Sequence, residues 1–249
     1  MNDEEQASFD KDRAHLPKKL TSAQAWYGPD MLSSTAWIYS LSDQDINEIN
    51  IALKTTENMD IAAITKEDFQ LPNLSQTLRE IQNEVINGRG FALIRGLPVK
   101  NWSMKQSATA YYGIGMHVGR ARSQNAMGHI LGHVRDLGRD AVNDKNARIY
   151  QTRERQNFHT DSCDVVSLLC LKTSKTGGAS ALVSSMTIYN EMYDRRPDLL
   201  RLLFEPFATD RRGEIPEGKK PYFEMMKIVS AGYGLGEVEI IGEDAVSAL

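Results

Sequence analysis

Apolar residues recur at helical spacing in several parts of the chain, and the first of these parts begins after Ser42. An acidic turn follows this serine, and Ile46, Ile49 and Leu53 then recur three or four positions apart. A serine before an acidic first turn is typical of a helix N-cap. The pattern therefore predicts an amphipathic helix whose apolar face packs against a core.

Two further helices are predicted before residue 118. The first covers residues 75–87 and ends at an Asn-Gly pair, which is typical of a helix C-terminus. Its apolar stripe consists of Leu74, Leu78, Ile81 and Val85. The second covers residues 103–117, although Gly113 and Gly115 lower the helix propensity of its second half.

Helical spacing returns after Ser185. Ile188, Tyr189 and Met192 are predicted to turn inward on a helix there. Pro197 is predicted to separate this helix from the next, because proline is tolerated at a first helical position but not inside a helix. The next helix is predicted to bury a wide apolar face: Leu199, Leu200, Leu202, Leu203 and Phe204.

Other stretches have the composition of strands. A buried strand is predicted at residues 91–94, a longer one at residues 158–171 and a short one at residues 181–183. Gly177 and Gly178 permit a tight turn between the last two. Residues 119–139 are rich in glycine and short alternations, which indicates strands and turns.

His159, Thr160 and Asp161 lie at the start of the longest predicted strand. Alternate residues of a strand face the same side, so the imidazole of His159 and the carboxylate of Asp161 are predicted to project together. These groups make up two-thirds of a 2-His-1-carboxylate site for non-haem Fe(II). A sequence of this length and composition is expected to contain about one-third of a His-x-Asp triplet by chance. The triplet therefore indicates a metal site only if the surrounding sequence supports it.

The order of features around the triplet resembles a known family. A His-Thr-Asp strand, an apolar run at residues 165–171, a Gly-Gly turn and small hydroxyl residues before a helix resemble the TauD/TfdA family of Fe(II)/2-oxoglutarate-dependent dioxygenases. Residues 90–98 resemble the early strand of that family, and residues 221–224 resemble the start of its next core strand.

The resemblance implies an α+β protein with a double-stranded β-helix, or jelly-roll, core and flanking helices. It implies that His159 and Asp161 are the first two iron ligands and that Ser180 replaces a threonine beside 2-oxoglutarate, where its hydroxyl could donate the same hydrogen bond. The implied cofactors are Fe(II) and the co-substrate 2-oxoglutarate. The implied reaction uses O2 to hydroxylate a small organic acid, amino acid or secondary metabolite.

Arg153 is a further candidate that could face a carboxylate in the pocket. The alternative is that Arg153 is solvated or pairs with a neighbour such as Glu154. Members of the family also have a second iron-binding histidine and an arginine for the far carboxylate of 2-oxoglutarate. This sequence has no histidine after His159 and no arginine after Arg212.

The resemblance ends at about Met226. We therefore expect residues 1–40 to form an N-terminal arm, and residues 41–249 to form a dioxygenase domain that lacks its last core strands, as a shortened gene product would. Residues 1–20 are predicted to be a tail that is mobile until it docks on the domain, because charge outweighs apolar content there.

Charge and composition limit the partners and the compartment. With 29 basic and 33 acidic residues, the net charge of −4 gives no electrostatic reason to expect nucleic acid or an anionic membrane as a partner. There is no apolar run of membrane-spanning length and no signal-like N-terminus, so we expect a cytoplasmic protein with a small-molecule substrate.

Cys163 and Cys170 are predicted not to pair, since an extended strand would hold them about 20 Å apart.

Two alternative functions remain open. A catalytically inactive dioxygenase-like protein could keep the fold as a binding or regulatory protein. A zinc hydrolase could combine His159 and Asp161 with His129 or His133, which are spaced as a helical zinc pair. Neighbouring glycines argue against a helix there, so His129 and His133 are predicted to be ordinary polar strand residues.

Overall fold

The computed structural model describes residues 3–124, 128–140, 143–144, 147–161, 163–205, 207–211, 215, 217–226 and 236–242. The α-helices are α1 (Asp3–Arg13), α2 (Gly28–Leu32), α3 (Asp43–Thr55), α4 (Leu74–Asn87), α5 (Met104–Val118), α6 (Ser185–Arg195) and α7 (Pro197–Leu202). The strands are β1 (Ile38–Ser40), β2 (Phe91–Leu97), β3 (Val165–Cys170), β4 (Phe207–Asp210), β5 (Tyr222–Met226) and β6 (Gly236–Gly242). This mixture of helix and sheet confirms the α+β part of the predicted fold class. Across the described residues, no helix has both the length and the apolar composition that crossing a membrane requires.

The chain forms two compact units. The first unit consists of Met1–Lys19, Ser123–Thr160 and Tyr189–Tyr233. The second unit consists of Leu20–Arg122, Asp161–Ile188 and Gly234–Leu249. The border after Thr160 runs through the His-Thr-Asp triplet.

A four-stranded sheet forms the centre of the second unit. Its strand order is β1-β2-β6-β3, and each neighbouring pair is parallel. Leu93 of β2 pairs with Ile38 of β1 on one side and with Glu239 of β6 on the other. The first four residues of β2 are all buried, which confirms the predicted buried strand. Continuous apolar runs of this kind are typical of parallel strands covered on both faces.

The three helices predicted in the second unit are confirmed. The hydroxyl of Ser42 accepts from the N–H of Asp45, whose carboxylate accepts in turn from the N–H of Ser42 at 2.8 Å. Ser103 and Gln106 form the same reciprocal cap at the start of α5. Such caps satisfy N–H groups that have no partner within the helix. The predicted stripe of α4 is buried: Leu74, Leu78, Ile81 and Val85.

In the first unit, the N-terminal residues are docked, as the prediction of a tail that is mobile only until it docks allows, and they form the helix α1, which was not predicted. The guanidinium of Arg13 in α1 donates to the backbone carbonyl oxygens of Tyr193 (2.9 Å) and Asp194 (2.6 Å). Asp12 pairs with Arg201 of α7 at 3.2 Å. The charges of this segment therefore bind partners distant in the sequence, which no local pattern could indicate. In the same unit, β4 and β5 form an antiparallel pair.

The strand predicted at residues 158–171 is shorter in the structure. β3 begins at Val165, which is paired with Gly236 of β6. His159 and Asp161 precede it in a segment without regular structure, so the strand that was predicted to align their side chains does not reach them. The physical reason is that the described strands offer this polar segment no pairing partner.

Two other regions predicted as strands contain none among their described residues. Residues 181–183 are exposed, with Leu182 at 38% and Val183 at 45%, and a strand of three residues without a neighbour gains no ladder of hydrogen bonds. Within residues 119–139, the φ angles of Gly128 (83°) and Gly138 (71°) are positive, which interrupts extended backbone.

The predicted break between α6 and α7 is confirmed, but the inward faces of both helices are narrower than predicted. In α6, Tyr189 is buried and Ile188 is exposed. In α7, Leu200 is buried, whereas Leu199 and Leu202 are exposed. Residues one or two positions apart point in different directions on a helix, so a contact on one side cannot bury them all.

Candidate active site

His159 lies in the first unit and is exposed. Its Nδ1 atom lies 2.8 Å from the backbone carbonyl oxygen of Asn157. Because a carbonyl oxygen can only accept, Nδ1 carries the proton and donates it. Nε2 then has the lone pair, and the side-chain amide nitrogen of Gln156 lies near both ring nitrogens, 3.3 Å from Nε2 and 3.5 Å from Nδ1. An imidazole held through Nδ1 by a backbone carbonyl is in the tautomer that binds a metal through Nε2.

Asp161 lies in the second unit, shortly before β3, and is also exposed. Burial raises the pKa of the neighbouring Cys163 thiol, and the carboxylates of Asp161 and Asp164 raise it further. A raised pKa favours the neutral thiol over the thiolate that binds metals. Cys163 and Cys170 form no disulfide with each other, and both are half-buried.

The residues of the triplet are two potential metal ligands, whereas a facial iron site takes three. His159 belongs to the first unit and Asp161 to the second. Within the part of the chain that the structure describes, no three histidine, cysteine, aspartate or glutamate side chains are grouped as a metal site requires. The described residues therefore do not complete the ligand set for iron.

His129 and His133 do not supply a third ligand in the described structure. Both are exposed and lie outside helices and strands, so they form neither a helical zinc pair nor the strand residues that were predicted. The left-handed backbone of Gly128 interrupts regular structure just before His129. The zinc hydrolase interpretation therefore gains no support from this segment.

Ser180 follows a glycine turn in the second unit. Gly177 and Gly178 have φ angles of 70° and 75°, in the left-handed region that favours glycine. The hydroxyl of Ser174 donates to the carbonyl oxygen of Gly177 and closes the turn. The predicted Gly-Gly turn is thus confirmed, and Ser180 lies in the exposed segment that leads from it to α6.

Arg153 lies in the first unit, and its side chain is 83% exposed. Its guanidinium lies 3.3 Å from the carboxylate of Asp136. Of the arrangements that the sequence left open, the structure shows an ion pair, but with Asp136 in place of Glu154. Exposed pairs of this kind contribute little to stability.

A buried histidine without a role in the sequence predictions lies near the end of α5. His117 is 6% exposed, and its Nε2 donates to the backbone carbonyl oxygen of Phe69 at 2.8 Å. Burial lowers the pKa of His117 below its ordinary value of 6.5, so the imidazole is neutral near pH 7 and its Nδ1 is an acceptor. This Nδ1 has no hydrogen-bond partner among the described residues.

Tyr111 is a second residue that was not singled out from the sequence. Its hydroxyl donates to the carbonyl oxygen of Ser167 at 2.5 Å and lies 2.7 Å from the Ser167 hydroxyl. Burial raises the pKa of Tyr111, so the phenol keeps the proton that it donates. The contact joins α5 to β3, the strand that follows Asp161. The sequence places this tyrosine on a predicted helix. It does not indicate the contact, because the partner is 56 positions away in the sequence.

Residues 54–232 match a family model described as Taurine catabolism dioxygenase TauD, TfdA family. The chain belongs to this family. The match confirms the resemblance inferred from the His-Thr-Asp segment and relates the chain to a family of oxygenases. The matched range contains all the candidate residues: Arg153, His159, Asp161 and Ser180.

Curated proteins that are similar in sequence to this TauD/TfdA-family chain include a synthase and a hydroxylase-like protein. It is 30% identical over 213 residues to FR-33289 synthase of Streptomyces rubellomurinus (strain ATCC 31215), covering 84% of the chain and 62% of that protein. It is 30% identical over 225 residues to Taurine hydroxylase-like protein SAT17 of Stachybotrys chartarum (strain CBS 109288 / IBT 7711), covering 86% of the chain and 57% of that protein. The chain thus spans about three-fifths of the length of these curated relatives.

Proposed function

We propose that this TauD/TfdA-family protein is an Fe(II)- and 2-oxoglutarate-dependent dioxygenase with a jelly-roll core. Its substrate is a small organic acid, amino acid or secondary metabolite. His159 and Asp161 bind iron, Ser180 contacts 2-oxoglutarate, and Arg153 is a further candidate for a carboxylate of the co-substrate. When bound, iron supplies the oxidation together with 2-oxoglutarate and O2, and the protein positions the substrate.

The family match carries this proposal, because it extends across the His-Thr-Asp triplet and the Gly-Gly turn. The tautomer of His159 supports it independently. The carbonyl oxygen of Asn157 fixes the proton on Nδ1, which leaves Nε2 as the nitrogen with a lone pair. A metal held at Nε2 would displace the neutral side-chain amide of Gln156, which lies close to the ring.

Ser180 is suited to its proposed role by its hydroxyl, which can donate to a carboxylate oxygen of 2-oxoglutarate. The preceding Gly177-Gly178 turn has a backbone that side chains at those positions would strain, so the turn depends on its glycines. The hydroxyl of Ser174 holds the turn together. We expect this local geometry to fix where the segment containing Ser180 begins.

A second proposal follows from the incomplete ligand set. The described residues group fewer than three potential metal ligands, and two protein ligands alone hold Fe(II) weakly. The alternative function is a catalytically inactive dioxygenase-like protein that binds a small molecule or regulates a partner.

An anaerobic titration of the full chain with Fe(II), followed by 2-oxoglutarate decarboxylation on adding O2, tests the first proposal. His159→Ala and Asp161→Ala are expected to remove Fe(II) binding and turnover. His133→Ala removes another exposed histidine and is expected to retain both. Equal turnover by the unchanged chain and by His159→Ala would remove His159 from the mechanism.

The same titration separates the two proposals. A dioxygenase binds Fe(II) and consumes 2-oxoglutarate, whereas the inactive relative does neither. Metal analysis of protein purified without added metal gives a further check, because a zinc hydrolase would retain zinc through this procedure.

A further inference from the structure

The segment that contains Ser180 ends at two buried hydroxyl residues in the second unit. Ser184 is 6% exposed and Thr187 is 7% exposed, whereas residues 179–183 before them are exposed. The hydroxyl of Ser184 accepts from the backbone N–H of Thr187 at 3.0 Å, which caps the start of α6. A hydroxyl that accepts in this way still has its own proton to donate to another partner.

Both hydroxyls donate to one distant segment of the chain. Ser184 donates to the backbone carbonyl oxygen of Gln24. Thr187 donates to the backbone carbonyl oxygen of Trp26 at 2.7 Å. These acceptors lie 160 and 161 positions away in the sequence. The two contacts therefore hold the first turn of α6 against residues 24–26, which we call the strap.

The strap is itself held to the core of the second unit. The side-chain amide of Gln24 donates to the carbonyl oxygen of Ile86 in α4 at 3.1 Å. The indole N–H of Trp26 donates to the carbonyl oxygen of Arg89 at 2.7 Å. The ring of Trp26 also contacts the ring of Phe91 edge-on, with 5.1 Å between the centroids. Because Phe91 begins the buried strand β2, the strap connects the start of α6 to the central sheet.

We propose that Ser184 and Thr187 are positioning residues for the co-substrate contact of Ser180, an inference that rests on the proposed function. The Gly177-Gly178 turn fixes one end of the segment, and the strap fixes the other end through the two hydroxyls. Only residues 179–183 lie between these ends. Holding both ends narrows the range of positions that the Ser180 hydroxyl samples. A group that is held in place before binding loses less entropy when 2-oxoglutarate binds.

Backbone 15N relaxation of the full 249-residue chain, without added metal or co-substrate, tests whether the hydroxyls fix the segment. Thr187→Val keeps the shape of the side chain but removes its donor, so the order parameters of residues 179–183 are expected to fall. Ser184→Ala is expected to act in the same direction. Thr187→Ser keeps a donor and is expected to preserve the order parameters. Unchanged order parameters in Thr187→Val or in Ser184→Ala would overturn the proposal for the residue concerned.

Thr56 offers a matched control in the same unit. Its hydroxyl is buried and donates to the backbone carbonyl oxygen of Ala52 at 2.8 Å. Thr56→Val therefore loses a hydrogen bond equivalent to that of Thr187, but far from the strap in the sequence. We expect Thr56→Val to lower stability and to leave the order parameters of residues 179–183 unchanged.

The KM for 2-oxoglutarate separates a positioning role from a purely structural one. Thr187→Val and Ser184→Ala are each expected to raise this KM about fivefold and to retain kcat, because the co-substrate contact weakens while the proposed iron ligands are unchanged. Thr56→Val and Thr187→Ser are expected to keep the KM. All values are measured well below the unfolding midpoint of each variant.

The two measurements distinguish failure of this proposal from failure of the proposed function. If the order parameters fall but the KM stays unchanged, Ser184 and Thr187 do not position the co-substrate contact, and this proposal is overturned while the proposed function stands. If the unchanged chain does not decarboxylate 2-oxoglutarate, the proposed function is overturned together with the co-substrate part of this proposal. The relaxation data alone then decide whether the two hydroxyls fix residues 179–183.

Discussion

The ring of Phe69 lies so close to the backbone of Gly113 that a Cβ atom at position 113 would stand 2.4 Å from the ring. Phe69 is fully buried, at 0% exposure, so its ring lies inside the core and not at the surface. A Cβ at Gly115, in the same helix, would meet no atom within 4 Å. The sequence pattern treated both glycines as weak points of α5, but only Gly113 is required by packing.

Gly113→Ala is therefore expected to lower the free energy of unfolding by about 1–3 kcal/mol, because the added methyl group overpacks the core against Phe69. Gly115→Ala is the matched control and is expected to raise the free energy of unfolding by about 0.5–1 kcal/mol, since alanine is the better helix former. Urea unfolding followed by circular dichroism measures both. Equal effects of the two substitutions would contradict the packing described.

Glu48 of α3 caps the start of α4. Its carboxylate, in a residue that is 7% exposed, accepts from the N–H groups of Asn73 and Leu74, each at 3.1 Å. Glu48→Ala leaves these donors without an acceptor and is expected to destabilise the protein by about 2–3 kcal/mol. Glu48→Gln keeps one acceptor oxygen and is expected to cost about 1 kcal/mol. Denaturant unfolding should rank the variants in this order, with the exposed Glu57→Gln unchanged.

Acid is expected to destabilise the protein through His117. Burial lowers the pKa of His117 below 6.5, and the Lys66 and Arg79 cations lower it further, against opposing contributions from the Phe69 hydrogen bond and Glu67. The unfolded chain protonates this histidine near its ordinary pKa, while the folded protein keeps it neutral to lower pH. The unfolded state thus binds more protons in that window, and stability is lost as the pH falls below 6.5.

The measurement is the free energy of unfolding between about pH 7.5 and about pH 5. His117→Gln is expected to be less stable at neutral pH and to show a shallower loss on acidification. His133→Gln removes an exposed histidine and is expected to keep the slope of the unchanged chain. An unchanged slope in His117→Gln would show that other groups cause the acid sensitivity.

The helices that could be predicted from the sequence are those whose determinants are local. Ser42 and Ser103 cap α3 and α5 through residues three positions away, and α4 shows a regular apolar stripe. The start of β3 at Val165 was not predictable in the same way, because it depends on pairing with Gly236. An apolar run identifies a strand, but the partner strand decides where it begins.

The candidate site shows the same difference between features with local determinants and features that depend on distant residues. The order of motifs around the His-x-Asp triplet identified the family, because that order is visible in the sequence. The directions of the His159 and Asp161 side chains were not predictable from the order of motifs. The strand that was assumed to align them begins only at Val165. The contact between Tyr111 and Ser167 depends on tertiary packing and has no local signature.

Arg13 is expected to hold α1 in place. Its guanidinium donates to the carbonyl oxygens of Tyr193 and Asp194 at the end of α6, where carbonyl groups have no partner within the helix. Arg13→Ala is expected to destabilise docking of α1 by about 1–2 kcal/mol and to speed proteolysis of the N-terminal residues. Lys11→Ala, a change in the same helix, serves as the control. Proteolysis of both variants at the rate of the unchanged chain would show that α1 docks without Arg13.

Ser180 gives a test of the proposed co-substrate contact that does not depend on the metal ligands. The hydroxyl is the group proposed to donate to 2-oxoglutarate, so Ser180→Thr is expected to keep the KM for 2-oxoglutarate and Ser180→Ala to raise it about tenfold. The unfolding midpoint of each variant is measured alongside the KM, so that a lost co-substrate contact is separated from a lost stability. Ser185→Ala, at the start of α6, controls for loss of a nearby hydroxyl. Decarboxylation rates measured over a range of 2-oxoglutarate concentrations give the KM values, and an unchanged KM in Ser180→Ala would assign the co-substrate contact to another residue.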